Sequence, residues 1–281
     1  MSPVDRLEDD LVETPTHEIF KDLGYETLLG SELNSERDVS DAILTSRLDK
    51  KIRELNPDLP EIVYTTALNQ IKSLTNPTTI ENNREFHQML LAGVKVPFQS
   101  EGQTKYYAVR LVDFENPQNN DFAAVRQLYV QQHKLKKPDH VLFVNGLPLV
   151  ILEYKDPMNP AADIVAAHKQ LGIGNYLKHI PRILNYNAFL IISDKTYARY
   201  GTMTAPFERF SDWNDPEDPD RTVANRLEML QRLMLNKESL LELIQNYLEY
   251  ESGGKRTVKK IAQQHQYLGA KKAVERTLDV F

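Results

Sequence analysis

Residues 138–155 read PDHVLFVNGLPLVILEYK. Two apolar runs flank Asn145-Gly146, the strongest short-range signal for a β-hairpin. Both faces of both runs are apolar, so the spacing predicts central strands covered on both sides. Asp139, Glu153 and Lys155 are the charged side chains of this stretch. Burying a charge is costly unless it is paired or binds a metal. In an antiparallel pair, opposing residues have a constant index sum. A three-residue loop of Asn145, Gly146 and Leu147 sets Val144 against Pro148 and Asp139 against Glu153. Their Cβ atoms then lie about 5 Å apart. Lys155 is two residues on and shares the face of Glu153. A strict two-residue loop would separate the carboxylates onto opposite faces. Convergence therefore predicts an odd-length loop or a bulge.

Two carboxylates on one sheet face offer hard oxygen ligands. Such a pair suits Mg²⁺, with Mn²⁺ as substitute, because Mg²⁺ takes one or two protein carboxylates and keeps several waters. The backbone carbonyl of Tyr154 is a further candidate ligand. A lysine beside them can orient a metal-activated water or neutralise charge building on a phosphate. The bland alternative makes Asp139 a strand-start cap and Glu153–Lys155 a surface pair. The apolar surroundings favour the functional reading.

Moving outward, Thr16 to Leu23 reads as a short helix with Thr16 as its cap and Gly24 as its stop. Ser35 to Leu55 and Glu61 to Leu74 follow helical spacing, and Ile80 to Leu91 is of ambiguous type. Gly93 to Pro97 and Tyr106 to Phe114 read as strands around a polar turn. Phe122 to His133 fits strand or helix. Asp163 to Gln170 reads as a helix, Ala188 to Ser193 as a buried strand and Tyr197 to Met203 as another. Past Trp213 comes a polar, proline-bearing linker. Beyond it only helices are expected: Thr222 to Leu235, Lys237 to Glu249, Thr257 to Leu268 and Ala270 to Leu278. Ser252 to Lys255 would connect two of them. The predicted organisation is an α/β domain over residues 1–213 and a helical segment over 214–281.

The 281 residues contain no cysteine, which excludes thiol nucleophiles, Cys-based zinc sites and disulfide scaffolds, and fits a cytoplasmic protein. No run approaches the length of a membrane span. The formal charge of −6 argues against a nucleic-acid partner at first sight. That charge is uneven. Residues 1–60 hold 15 Asp/Glu against 7 Lys/Arg, and residues 255–281 hold 7 Lys/Arg against 2 Asp/Glu. No HExxH, G-x-S-x-G or G-x-x-x-x-G-K-[ST] motif is present.

The pattern P-D-x(13)-E-x-K is the signature of PD-(D/E)xK nucleases. The wording PDHVLFVNGLPLVILEYKDP resembles the nuclease core of the R subunit of type I restriction enzymes. The resemblance extends through NYNAFLIISDKTYARYGTMTAPFERFSDW at 185–213 and IAQQHQYLGAKKAVERTL at 261–278. It implies a restriction-endonuclease-like core, with a central mixed β-sheet flanked by helices and a C-terminal helical segment. It implies Asp139 and Glu153 as the metal-binding pair and Lys155 as the catalytic lysine. Glu18 would complete the metal site. The family's Gln-x-x-x-Tyr motif would fall on Gln170 and Tyr176, here six residues apart rather than four. Six residues rotate a continuous helix by about 240°, so the pair would share a face only if Gly172 and Gly174 break it. Gln266 resembles an adenine-reading glutamine, relevant to ATP in a full-length subunit. The chain reads as a fragment ending before the motor. The implied activity is Mg²⁺-dependent cleavage of double-stranded DNA, with methyltransferase and specificity subunits as partners. The rival is a non-catalytic module docking the motor to those subunits.

Overall fold

The computed structural model describes residues 12–35, 37–100, 102–155, 164–172, 175–194, 196–214, 226–253 and 256–278. In chain order the elements are helix α1 (Thr14–Asp22), strand β1 (Glu26–Leu29) and helices α2 (Thr45–Leu55), α3 (Glu61–Lys72) and α4 (Thr79–Ala92). Strands β2 (Val94–Ser100), β3 (Gln103–Val109), β4 (Phe122–Arg126), β5 (Val130–Gln131) and β6 (Leu135–Lys136) follow. Then come β7 (His140–Val144), β8 (Leu147–Tyr154), α5 (Ile164–Leu171), α6 (Tyr176–His179) and α7 (Pro181–Asn185). The chain continues with β9 (Phe189–Ser193), β10 (Ala198–Gly201), β11 (Ser211–Asp212), α8 (Arg226–Met234) and α9 (Lys237–Asn246). It ends with β12 (Leu248–Gly253), β13 (Arg256–Ile261) and α10 (Gln264–Leu278).

The central sheet runs β1-β4-β7-β8-β9-β10-β11. It is mixed: β1–β4 and β8–β9 are parallel, and the other pairings are antiparallel. Every residue of β7, β8 and β9 is buried, as two-sided covering of apolar strands requires. Helix α5 lies against β8 and β9 on the face of Glu153. On the other face α1 brings Phe20 within 5.8 Å of the His140 ring, which meets Tyr154 at 5.6 Å.

The hairpin that decides the fold does not use a three-residue loop. Asn145 (φ 53°) and Gly146 (φ 79°) form a two-residue turn between the partners Val144 and Leu147. Two successive left-handed residues match the right-handed strand twist. The register then shifts: Phe143 faces Pro148 but Leu142 faces Val150, so Leu149 is the extra residue of a β-bulge. From there to His140↔Leu152 the register is the one that aligns Asp139 with Glu153. The turn is also not a surface tip. Asn145 is fully buried; its amide donates to Leu111 O and Asn120 Oδ1 at 2.8 Å, and its Oδ1 accepts from Asp121 N at 2.7 Å.

Several expectations change. Thr16 is buried inside α1 rather than capping it, and Pro15 sits in the first turn. The α2 helix starts at Thr45, not Ser35. Asp38 captures Ser40 N at 2.8 Å and Leu44 N donates to Gly146 O at 2.9 Å, which holds residues 38–44 out of a helix. Ile80 to Leu91 is helical because Thr78 and Glu81 form a capping box. Phe122 to His133 contains strands β4 and β5. The region after Trp213 is not helical throughout: β12 and β13 form an antiparallel hairpin where a helix and a helix connector were expected. Weak alternation hides the hairpin from the sequence, since β13 is short and half-polar. Residues 215–225 of the expected linker and helix start lie outside the described residues. Helix α8 packs on α1, with Gln231 Nε2 donating to Thr16 O at 3.1 Å and Tyr25 OH to Leu235 O at 2.7 Å. Leu227, Leu230, Leu240 and Ile244 thereby join the main hydrophobic core.

Candidate active site

Strand β8 carries Glu153 at its C-terminal end, and its carboxylate is fully buried. Asp139 directly precedes β7 and is 8% exposed. Its Oδ2 accepts the Tyr154 amide at 2.7 Å, fixing it across the hairpin from Glu153. The Asp139 side chain thus has a structural partner in the strand that carries Glu153. Lys155 leaves the strand with its amide donating to Ser193 O at 2.9 Å. Its Nζ lies 3.2 Å from Glu153 Oε1 and donates to Gln170 Oε1 at 2.9 Å. The Gln170 amide donates to the Tyr176 hydroxyl at 3.3 Å, and that hydroxyl donates to Glu153 Oε2 at 2.8 Å. Glu153, Lys155, Gln170 and Tyr176 therefore close a ring of four side chains.

The six-residue spacing does not separate Gln170 from Tyr176, because α5 stops at Leu171 and α6 starts at Tyr176. Gly172 lies in the break; Gly174 lies outside the described residues. Burial pushes the Tyr176 phenol well above its ordinary range, and the charges of Glu153 and Asp139 push it further. It remains a neutral donor, which is the form a carboxylate needs as partner.

The Tyr154 side chain points to the opposite sheet face, where burial and then the charge of Asp139 raise its phenol as well. Its candidate carbonyl lies in the backbone between Glu153 and Lys155. The structure does not bring Glu18 to this group. Helix α1 lies over the His140 face, and the Glu18 carboxylate is 66% exposed beside Lys21. The acid this segment turns inward is Glu13, 5% exposed, whose Oε2 accepts Gln127 Nε2 at 2.9 Å. Five residues rotate a helix by about 140° net, so the two acids face differently. Sequence spacing offered no signal for Glu13 beyond its apolar neighbours. Gln266 turns back on its own helix start, its Oε1 accepting Gln263 N at 2.8 Å.

The donor set is chemically suited to a hard divalent cation: two carboxylates and one backbone carbonyl, all oxygen. No cluster of three or more His, Asp or Glu side chains with metal-ligating geometry occurs among the described residues. An ion held here would take two carboxylates and complete its shell with water, the habit of Mg²⁺ rather than Zn²⁺.

The mixed sheet, with helices on both faces and Asp139, Glu153 and Lys155 at the end of its central hairpin, defines a restriction-endonuclease-like α/β protein. More narrowly, the chain belongs to the family of the type I restriction enzyme R protein N terminus, whose model matches residues 5–209. It is 34% identical, over 97% of its length, to the endonuclease subunit of the type I restriction enzyme HindI from Haemophilus influenzae. It is 30% identical, over 96% of its length, to a type I endonuclease subunit designated MjaIXP from Methanocaldococcus jannaschii. The chain spans 27% and 28% of the length of these two relatives. No described helix is long and apolar enough to cross a membrane.

Proposed function

We propose that this chain is the Mg²⁺-dependent nuclease part of a type I restriction enzyme R subunit, hydrolysing phosphodiesters of double-stranded DNA. The observation that carries this reading is the closed ring of Glu153, Lys155, Gln170 and Tyr176 beside Asp139. Asp139, Glu153 and the Tyr154 carbonyl would hold the metal. When bound, Mg²⁺ supplies an activated water and shields the scissile phosphate.

The protein's own groups do the rest. Tyr154 N fixes the Asp139 carboxylate, and Tyr176 OH fixes that of Glu153. Gln170 holds the Lys155 ammonium at the site through its carbonyl oxygen. From there Lys155 can donate to a phosphate oxygen as negative charge grows on it. Neither Gln170 nor Tyr176 offers a proton at neutral pH, so both act as positioning residues. Sequence recognition would come from methyltransferase and specificity subunits, and translocation from an ATP-driven motor, as the family resemblance implies for a whole enzyme.

Titration with Mn²⁺ by calorimetry tests the site on the chain itself. Binding by the wild-type chain, and its loss in Asp139→Ala, is the expected result. A wild-type chain that binds no Mn²⁺ or Mg²⁺ would overturn the nuclease reading in favour of a docking module.

A further inference from the structure

The two segments that enter the site also build a basic rim beside it. No Asp or Glu occurs from residue 122 to 138 or from 164 to 193. The first segment makes the β5–β6 hairpin, with Gln131 opposite Leu135. The second makes α6 and α7. Two backbone donors join them: His133 N donates to His179 O at 3.0 Å, and Arg182 N to Gln132 Oε1 at 3.0 Å. Lys134, Lys137, Lys178 and Arg182 are exposed, and Lys136 is half-buried. Partial burial, then Lys134, Lys136, Lys178 and His133, hold the His179 imidazole below its ordinary range. Lys134, Lys136 and Lys178 therefore share the neighbourhood of His179, Arg182 is tied to it through Gln132, and Lys137 follows Lys136 in the chain. None of the four exposed ones makes an ion pair among the described residues.

The rim adjoins the site at both ends. Lys137 precedes Pro138 and Asp139, and Lys178 lies two residues past Tyr176, whose hydroxyl is on Glu153. We propose that Lys134, Lys137, Lys178 and Arg182 form a track for consecutive phosphates of double-stranded DNA, seating the backbone beside Asp139 and Glu153. The track rests on the nuclease reading for its purpose, but its binding does not require a metal. Buried carboxylates repel phosphate, so an approaching duplex needs cations outside the pair and close to it. These four supply them as phosphate contacts, which carry no sequence information and fit binding that is indifferent to sequence.

The test uses the whole chain in EDTA, with fluorescence anisotropy of a random-sequence duplex across a salt series. The variant K134A/K137A/K178A/R182A is compared with K21A/K50A/K105A/K272A, which removes the same charge from other exposed positions. Each phosphate left without its cation should cost about 8-fold in affinity at 0.1 M salt and flatten the log–log salt slope by about 0.9. The rim variant should therefore flatten the slope by up to about 3.6, and the control by much less. A double variant, K178A/R182A, should flatten it by about 1.8 and guards against misfolding of the fourfold one. Equal effects of rim and control variants would overturn the track. So would binding of polyglutamate as tight as that of DNA. Binding of DNA through the rim by a chain that takes up no Mn²⁺ would sink the nuclease reading and leave the track standing.

Discussion

Replacing Lys155 tests the ring directly, because the structure makes the proposed catalytic lysine a structural partner of Glu153 as well. Glu153 is fully buried, and the Lys155 side chain is 14% exposed, with 3.2 Å between Nζ and Oε1. Removing one partner of such a pair leaves a buried charge without its counter-ion, which costs about 3–5 kcal/mol. Lys155→Met keeps most of the stem packing, so it should lose a value in that range in EDTA. Lys155→Met with Glu153→Gln removes both charges and should recover much of the loss, giving a coupling energy of about 2–3 kcal/mol. Magnesium should matter most for the single variant, since a cation at Glu153 would replace the missing ammonium. At 100 times its dissociation constant, the ion would restore about 2.7 kcal/mol. Urea unfolding followed by circular dichroism, with and without Mg²⁺, measures all four quantities. The same coupling governs how Lys155→Ala is read. Lost cleavage in that variant counts as catalytic only once Mg²⁺ has restored its fold. A single variant within about 0.5 kcal/mol of wild type, with no coupling to Glu153→Gln, would refute the buried-pair reasoning.

Three further outcomes follow from other parts of the fold. At Gly146 a Cβ would lie 2.5 Å from Leu44 O on a backbone with φ of 79°. Gly146→Ala should cost at least about 1–3 kcal/mol from the backbone alone, and a urea midpoint equal to wild type would contradict it. Burial, aided by the Lys259 charge, pushes the His87 imidazole down to about 3. The folded state keeps His87 neutral while the unfolded chain takes up a proton below about pH 6.5, so its stability contribution is full above that pH and lost on acidification. His87→Phe should remove a slope of up to about 1.4 kcal/mol per pH unit between pH 6 and 4, and an unchanged slope would dismiss the assignment. Lys259 is buried, donating to Asn83 Oδ1 at 2.9 Å and Asn187 O at 2.7 Å, and so ties β13 to α4 and the start of β9. Lys259→Met should cost about 1–3 kcal/mol by orphaning those acceptors, and hydrogen exchange across Leu248–Ile261 should rise roughly 5- to 150-fold. Exchange that stays at the wild-type rate would show that Lys259 does not anchor the hairpin.

The sequence made the central hairpin, its buried strands and the convergence of Asp139 with Glu153 legible, because period-2 alternation and pairing register are local arithmetic. It did not show how the register is reached. A bulge at Leu149 and an odd loop produce the same alignment, and nothing in VNGLPLV distinguishes them. Gln170 and Tyr176 were legible by motif but misleading by spacing, since helix rotation applies only to an unbroken helix. Glu18 matched its motif yet lies in a helix that covers the other sheet face, so chain position alone could not place it. The β12–β13 hairpin was missed because YESGGKRTVKK alternates weakly. Its stability comes from distant partners such as Asn83 and Asn187, which no local window contains.

On the proposed nuclease reading, net charge misleads for a physical reason. A site that binds a metal through carboxylates and a substrate through phosphates needs both signs of charge within a few residues of each other. The chain separates them by depth and not by domain. Asp139 and Glu153 are sunk at the end of a covered hairpin, each oxygen-rich group fixed by neutral donors or by Lys155. The cations sit on the two excursions that leave and re-enter the sheet beside them, in segments without a single acid. Acid-rich residues 1–60 dominate the total of −6, and among the described ones Glu18 and Asp22 lie on α1 and Asp49 and Glu54 on α2. Salt screening within about 10 Å makes a local rim more decisive for a bound phosphate than the sum over the molecule. The expected behaviour is weak binding of DNA by the chain at physiological salt that strengthens steeply as salt falls, with a slope set by the rim and not by the net charge.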